Sequence, residues 1–205
     1  MTNTARYLRL LLPLLIVISG CGARDAGETP DLTLIHLNDT YRIDAVEDGS
    51  RGGFGRVATI LRQLQKDGRE LRITHAGDFL YPSLESQLWA GEQMIEALNF
   101  LNDLAPMMVT PGNHEFDPRT PDSLIAAVRQ SRFTWLADNV EFSTGDAVTD
   151  AAFQRGFTFK AGDWSVGVFS LTMTEDDGGN SRDYALIDED HVGRAEKLIE
   201  ALEAK

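Results

Sequence analysis

From Leu32 onward, short apolar runs alternate with stretches of helical periodicity, and small polar clusters separate the two. Leu32-Thr33-Leu34-Ile35-His36 predicts a strand that runs out at Asn38-Asp39. Past the break at Gly52-Gly53, the apolar residues Phe54, Val57, Ile60, Leu61 and Leu64 recur at amphipathic-helix spacing, predicting a helix over 54–65. Leu71 to His75 predicts a second strand, ending in Gly77-Asp78. Residues 84–101 read as one long helix, with Leu88, Met94, Ile95, Leu98 and Leu101 for its buried side. A third strand over 107–110 ends in Pro111-Gly112-Asn113-His114. A helix over 121–130 and a strand over 133–136 follow, the strand ending at Ala137-Asp138-Asn139.

This rhythm predicts an α/β sandwich with the sheet between helix layers. The pattern changes after Asn139. Residues 156–161 and 164–171 flank Gly162-Asp163 and predict a hairpin. Residues 172–190 are polar and read as loop, and 192–204 predict a last helix with Ala195, Leu198 and Leu202 on one side. The sequence stops there without a further strand.

The N-terminus has a different character. Arg6 and Arg9 accompany an apolar run from Leu8 to Ile18, shorter than the roughly 20 residues that span a bilayer. It predicts a signal peptide over residues 1–20. Ile18-Ser19-Gly20-Cys21 resembles the bacterial lipobox, which implies export, lipidation at Cys21 and anchoring to the cell envelope. Cys21 is the only cysteine, so the chain forms no internal disulfide. Residues 21–31 then read as a polar tether before a folded part over 32–205. A net charge of −13 argues against binding a nucleic-acid polymer or an anionic membrane face by electrostatics. It leaves a small phosphate ester open as substrate, because a bound dication inverts the local field.

The candidate chemistry is positional. Three strands each end in a loop bearing a carboxylate, an amide or an imidazole: Asn38-Asp39-Thr40-Tyr41, Gly77-Asp78 and Gly112-Asn113-His114-Glu115. In open α/β sheets ligands gather beyond the carboxyl ends of the strands, so these loops can converge. Asp and Asn oxygens with His nitrogens suit Mn, Zn, Fe or Mg. Singly, Asn-Asp-Thr and Gly-Asp are ordinary turn sequences; together, each at a strand end, they point to a metal site.

In these segments the chain resembles the 5′-nucleotidase family of calcineurin-like metallophosphoesterases. The resemblance rests on Leu34 to Asp39, Gly52-Gly53 with Arg56, Ala76-Gly77-Asp78, Gly112-Asn113-His114-Glu115-Phe116-Asp117 and Ala137-Asp138-Asn139-Val140. It implies an α/β fold of the calcineurin-like kind, a β-sandwich flanked by helices. It also implies two divalent metal ions, with Asp39 on one, Asp78 bridging both and Asn113 on the second. His114 would stabilise the transition state of an in-line displacement, and Asp117 would orient its ring. The alternative for Asp117 is a helix cap before Pro118.

Two departures accompany the resemblance. The family's first motif reads Asp-x-His, whereas here it reads Asp39-Thr40-Tyr41. Tyr41 either ligates as a phenolate or stays neutral beside the metal, and the neutral role is the expected one. Gly77-Asp78-Phe79-Leu80-Tyr81 also resembles the Gly-Asp-x-x-Tyr of purple acid phosphatases. The family's later histidines and its Gly-His-x-His segment have no counterpart among the four histidines, at positions 36, 75, 114 and 191. His36 and His75 are expected to be structural, and His191 a surface or cap residue. The sequence is therefore expected to be the N-terminal portion of a nucleotide-hydrolysing, membrane-anchored metallophosphoesterase. The competing expectations are a non-catalytic lipoprotein that retains the fold and a phosphodiesterase on the same scaffold.

Overall fold

The computed structural model describes residues 32–173 and 182–204. The expected signal peptide, Cys21 and the tether lie outside them. In chain order the elements are β1 (Thr33–Leu37), α1 (Phe54–Lys66), β2 (Leu71–His75), α2 (Leu84–Trp89) and α3 (Glu92–Leu104). Then come β3 (Met107–Val109), α4 (Asp122–Gln130), β4 (Thr134–Leu136), β5 (Val140–Phe142), α5 (Ala147–Ala152) and β6 (Phe153–Gln154). The last are β7 (Phe157–Ala161), β8 (Trp164–Val168), β9 (Ala185–Ile187) and α6 (His191–Glu203).

Five strands form a parallel sheet in the order β1-β2-β3-β4-β6. Parallel pairing puts the carboxyl ends of all five on one edge, so the loops after β1, β2 and β3 open on the same side of the sheet. β3 is buried at every residue, as expected of an apolar strand covered on both faces. The core joins sheet residues Ile73, Met107 and Val109 to Leu61 of α1, Met94, Leu98 and Leu101 of α3, and Leu124 of α4. Each fully buried leucine contributes on the order of 1.5–3 kcal/mol over an exposed one. β5–β9 and β7–β8 form two separate antiparallel pairs, the second being the expected hairpin with Gly162 in its turn at φ 55°.

The α/β layering is as predicted, and three details differ. The helix expected over 84–101 is two helices, broken where Ala90 and Gly91 both take left-handed backbone (φ 51° and 83°). Gly91 sits against Leu80, where a Cβ would come within 2.7 Å of Leu80 Cδ2, so the break seats α3 on the chain leaving β2. Leu88, expected to be buried, is exposed on α2, and Ile60 is exposed on α1. The segment read as loop over 172–190 contains β9, which pairs with β5.

Candidate functional site

β1 ends at Leu37, and two residues later Asp39 adopts left-handed backbone at φ 53°. β2 ends at His75, and Gly77 and Asp78 turn the same way at φ 89° and 61°. Left-handed backbone is uncommon for residues other than glycine, and aspartate is among those that tolerate it best. Both carboxylates singled out in the sequence thus stand on sharp turns at strand exits. The Asp39 N–H donates to Gly77 O (3.1 Å), tying the first loop to the second. Gly77 must be glycine, because a Cβ there would lie 2.0 Å from the backbone nitrogen of Gly112. Gly112 is equally constrained, since its Cβ would lie 2.2 Å from Asp78 Oδ1.

That contact brings in the third loop. The His114 N–H donates to Asp78 Oδ1 (2.9 Å), and residues His114–Phe116 form a 3-10 turn. The turn places Nδ1 of His114 2.9 Å from Oδ2 of Asp117, three residues on, with the two side chains about a quarter and a third exposed. Asp117 is therefore the partner of the imidazole, and it is not the N-cap of a helix. The Tyr41 ring stands edge-on to His114, with centroids 6.1 Å apart. Its hydroxyl donates to Asp39 Oδ1 (2.9 Å). Burial, that hydrogen bond and the charges of Asp78, Asp39 and Glu115 push the Tyr41 phenol upward. Asn38 Nδ2 contacts the other Asp39 oxygen. Tyr81 turns to Ser123 instead, its hydroxyl 2.9 Å from Ser123 Oγ.

Two residues whose part in the site the pattern did not reveal hold these loops. Glu115 is buried, and its carboxylate accepts four backbone N–H groups: Asp78 (2.7 Å), Phe79 (2.9 Å), Leu80 (2.9 Å) and Gly112 (2.6 Å). Burial pushes its pKa up, and the amide donors oppose that rise. His75 is buried between the first two loops. The Gly77 N–H donates to its Nδ1 (3.1 Å), so the ring proton sits on Nε2 and is donated to Thr40 Oγ1 (2.7 Å). Burial and, secondarily, His36 lower its pKa to about 4. The sequence marked Glu115 only by its place in Gly112–Asp117 and His75 only as a structural residue at a strand end, because the partners that define their parts are brought near by the fold.

The loop after β4 is structural. Asn139 Oδ1 accepts the Thr172 N–H (2.8 Å), and its Nδ2 donates to the carbonyls of Thr172 and Asp188. The Thr172 hydroxyl reaches Pro111 O (2.8 Å), linking this knot to the third loop. Arg182 donates to the carbonyls of Phe116 and Asp117 from outside the turn. His191 was expected to be a surface or cap residue; it opens α6 half-buried, with Asp190 as the cap and its Nε2 3.2 Å from Thr172 O.

Asp39, Asp78 and Asn113 supply oxygens and no thiolate, which suits a divalent cation. Among the described residues, neither Asp39 nor Asp78 pairs with a lysine or arginine. Asp78 is held above the usual carboxylate range mainly by burial, with Asp39 and Asp117 adding repulsion and the His114 N–H opposing. A half-buried carboxylate among like charges is the environment a cation would relieve. Also among the described residues, no three His, Cys, Asp or Glu side chains gather into a metal site on their own. The set at this edge is two carboxylates and an amide, and it fits part of a cation's coordination shell.

The family pattern of the calcineurin-like phosphoesterases matches residues 32–201. A snake venom 5′-nucleotidase of Crotalus adamanteus is 28% identical over 179 residues, covering 80% of this chain and 30% of that protein. An apyrase of Anopheles gambiae is 28% identical over 152 residues, covering 67% of this chain and 26% of that protein. Among solved structures, the Haemophilus influenzae NAD nucleotidase aligns with a TM-score of 0.69 at 20% identity, over 83% of this chain and 32% of that one. The chain spans about a third or less of the length of these relatives.

Proposed function

The chain belongs to the calcineurin-like phosphoesterase family, and from that premise we propose that it carries residues of a 5′-nucleotidase-like active site working outside the cytoplasm. The observation that carries the reading is the His114–Asp117 pair, locked to Asp78 by the His114 N–H. Asp39, Asp78 and Asn113 would hold divalent ions. Those ions would supply charge neutralisation and orientation of the oxygens of a phosphate ester.

The protein's own groups do the rest. With Nδ1 engaged by Asp117, the His114 ring would meet the substrate through Nε2. Protonated, it would place positive charge against oxygen as negative charge develops there, and Asp117 would keep the imidazolium paired and correctly aimed. Tyr41, its hydroxyl proton given to Asp39 and its ring edge-on to His114, would line the same mouth as a neutral group. The distant 5′-nucleotidase and apyrase relatives support a nucleotide as the ester. Export and lipidation at Cys21 complete the proposal and rest on the lipobox-like Ile18-Ser19-Gly20-Cys21. Among the described residues, no helix is long and apolar enough to cross a membrane.

A second reading, a fold-retaining lipoprotein that binds metal or phosphate weakly without turnover, is favoured by Tyr41 standing where the resemblance calls for histidine. One assay separates them: phosphate release from AMP and from an aryl phosphate, with Mn2+ and with EDTA, by wild type and by Asp78→Ala. Metal-dependent release lost in Asp78→Ala supports the hydrolase. Mn2+ binding without release supports the second reading, and faster cleavage of a bis-aryl phosphodiester than of the monoester would make the protein a diesterase.

A further inference from the structure

Glu115 has no assigned task in the reaction just described, yet it is one of the most heavily engaged side chains in the structure. It is 1% exposed, and no lysine or arginine pairs with it among the described residues. Its two oxygens divide the work evenly. Oε1 accepts the amides of Phe79 and Leu80, and Oε2 accepts those of Asp78 and Gly112. Three consecutive amides of the loop after β2 thus curl around one carboxylate from the loop after β3. Consecutive N–H groups at turns with left-handed residues form anion-binding concavities, and here the anion is supplied from within the chain.

The position of this clamp matters more than its strength. Asp78 donates its N–H to Glu115 and accepts the His114 N–H at its own Oδ1. Glu115 lies between Asn113-His114 and Asp117 in sequence, so one residue fixes the backbone beneath the candidate bridging carboxylate and the turn that carries the imidazole. Gly112 completes the link, giving its amide to Glu115 where a Cβ would strike Asp78 Oδ1. We infer that Glu115 is the positioning residue of the site: it holds the Asp78 carboxylate in its cation-binding orientation and registers it against the His114–Asp117 pair. The inference rests on the metal-site reading above and adds to it the group that presets the site's geometry.

Two measurements test it. In the wild-type chain, residue-resolved hydrogen exchange should find the amides of Asp78, Phe79, Leu80 and Gly112 as slow as those of β2 and β3, although they lie outside the strands. Exchange at the rate of an open loop would overturn the clamp, whatever the metal does. Glu115→Gln keeps the side-chain volume but points an NH2 at amides that need an acceptor. At a temperature where its circular dichroism equals that of wild type, its Mn2+ affinity should fall by about ten- to a hundred-fold, as when groups supporting metal ligands are removed. Leu61→Ala, a cavity in the core under α1, is the control for lost stability alone and should bind Mn2+ as wild type does. A folded Glu115→Gln protein with wild-type affinity, or an equal loss in Leu61→Ala, overturns the positioning role. Wild type that binds no Mn2+ overturns the metal reading and this role together, whereas wild-type binding with an unchanged variant sinks this role alone.

Discussion

Protonation of His75 should couple the site's loops to acid stability. The ring is buried with Nδ1 accepting the Gly77 N–H and Nε2 donating to Thr40, so a second proton would set two N–H groups against each other at Nδ1. Its pKa lies near 4 against an ordinary 6.5. Between those values the unfolded chain binds a proton that the folded chain refuses, so stability falls as pH drops through that window. At 1.36 kcal/mol per pH unit, acidification from pH 7 to pH 5 should cost about 2 kcal/mol through this residue, rising to about 3 kcal/mol near pH 4. The other groups shifted by burial titrate as well, so the effect is read as a difference. His75→Asn keeps an acceptor near the Nδ1 position and does not titrate. Urea unfolding of both proteins at pH 7, 6 and 5 should show wild type losing about 2 kcal/mol more than the variant across the range. Parallel profiles, differing in slope by less than about 0.5 kcal/mol over the two units, would refute the assignment of this histidine as neutral and coupled to the two loops.

Other expectations follow from the same geometry. Gly77→Ala should lower stability by at least about 3 kcal/mol, because its Cβ meets Gly112 backbone and its φ of 89° is strained for alanine, and thermal melting reads this directly. His114→Ala should cut AMP turnover by about a hundred-fold or more while metal content measured by mass spectrometry stays near wild type; a large loss of metal would contradict its role. Tyr41→His should tighten Mn2+ binding in calorimetry by about ten-fold, and Tyr41→Phe should change it little, if Tyr41 is a neutral neighbour of Asp39.

Much of this molecule was legible in its residues. α1 stood out because its apolar spacing is long enough to show a period, and β1 and β2 as short apolar runs ending in turn residues. β3, β4, β5, β6 and β9 have only two or three residues each, too few to carry a period. β3 and β4 were nevertheless found through the turn residues that follow them, Gly112-Asn113 and Asp138-Asn139. The break between α2 and α3 was hidden because Leu88 and Ile95, seven residues apart, fit one helical stripe, although Gly91 marked it. At the site, the contact of His114 with Asp117 follows from a spacing of three residues in a tight turn. The roles of Glu115 and His75 do not follow from any spacing. Their partners are backbone amides and a threonine hydroxyl brought near by the parallel sheet, and only the folded chain shows them.

A Mn2+ titration of the metal-free chain, followed by the electron paramagnetic resonance signal of free Mn2+, tests most directly whether the three strand-end loops form a cation site. The expected result is saturable loss of the free-ion signal in wild type, with affinity reduced about ten-fold or more in both Asp78→Ala and Asn113→Ala. A free-ion signal unchanged by wild-type protein, or an Asp78→Ala variant that binds as tightly as wild type, would contradict it.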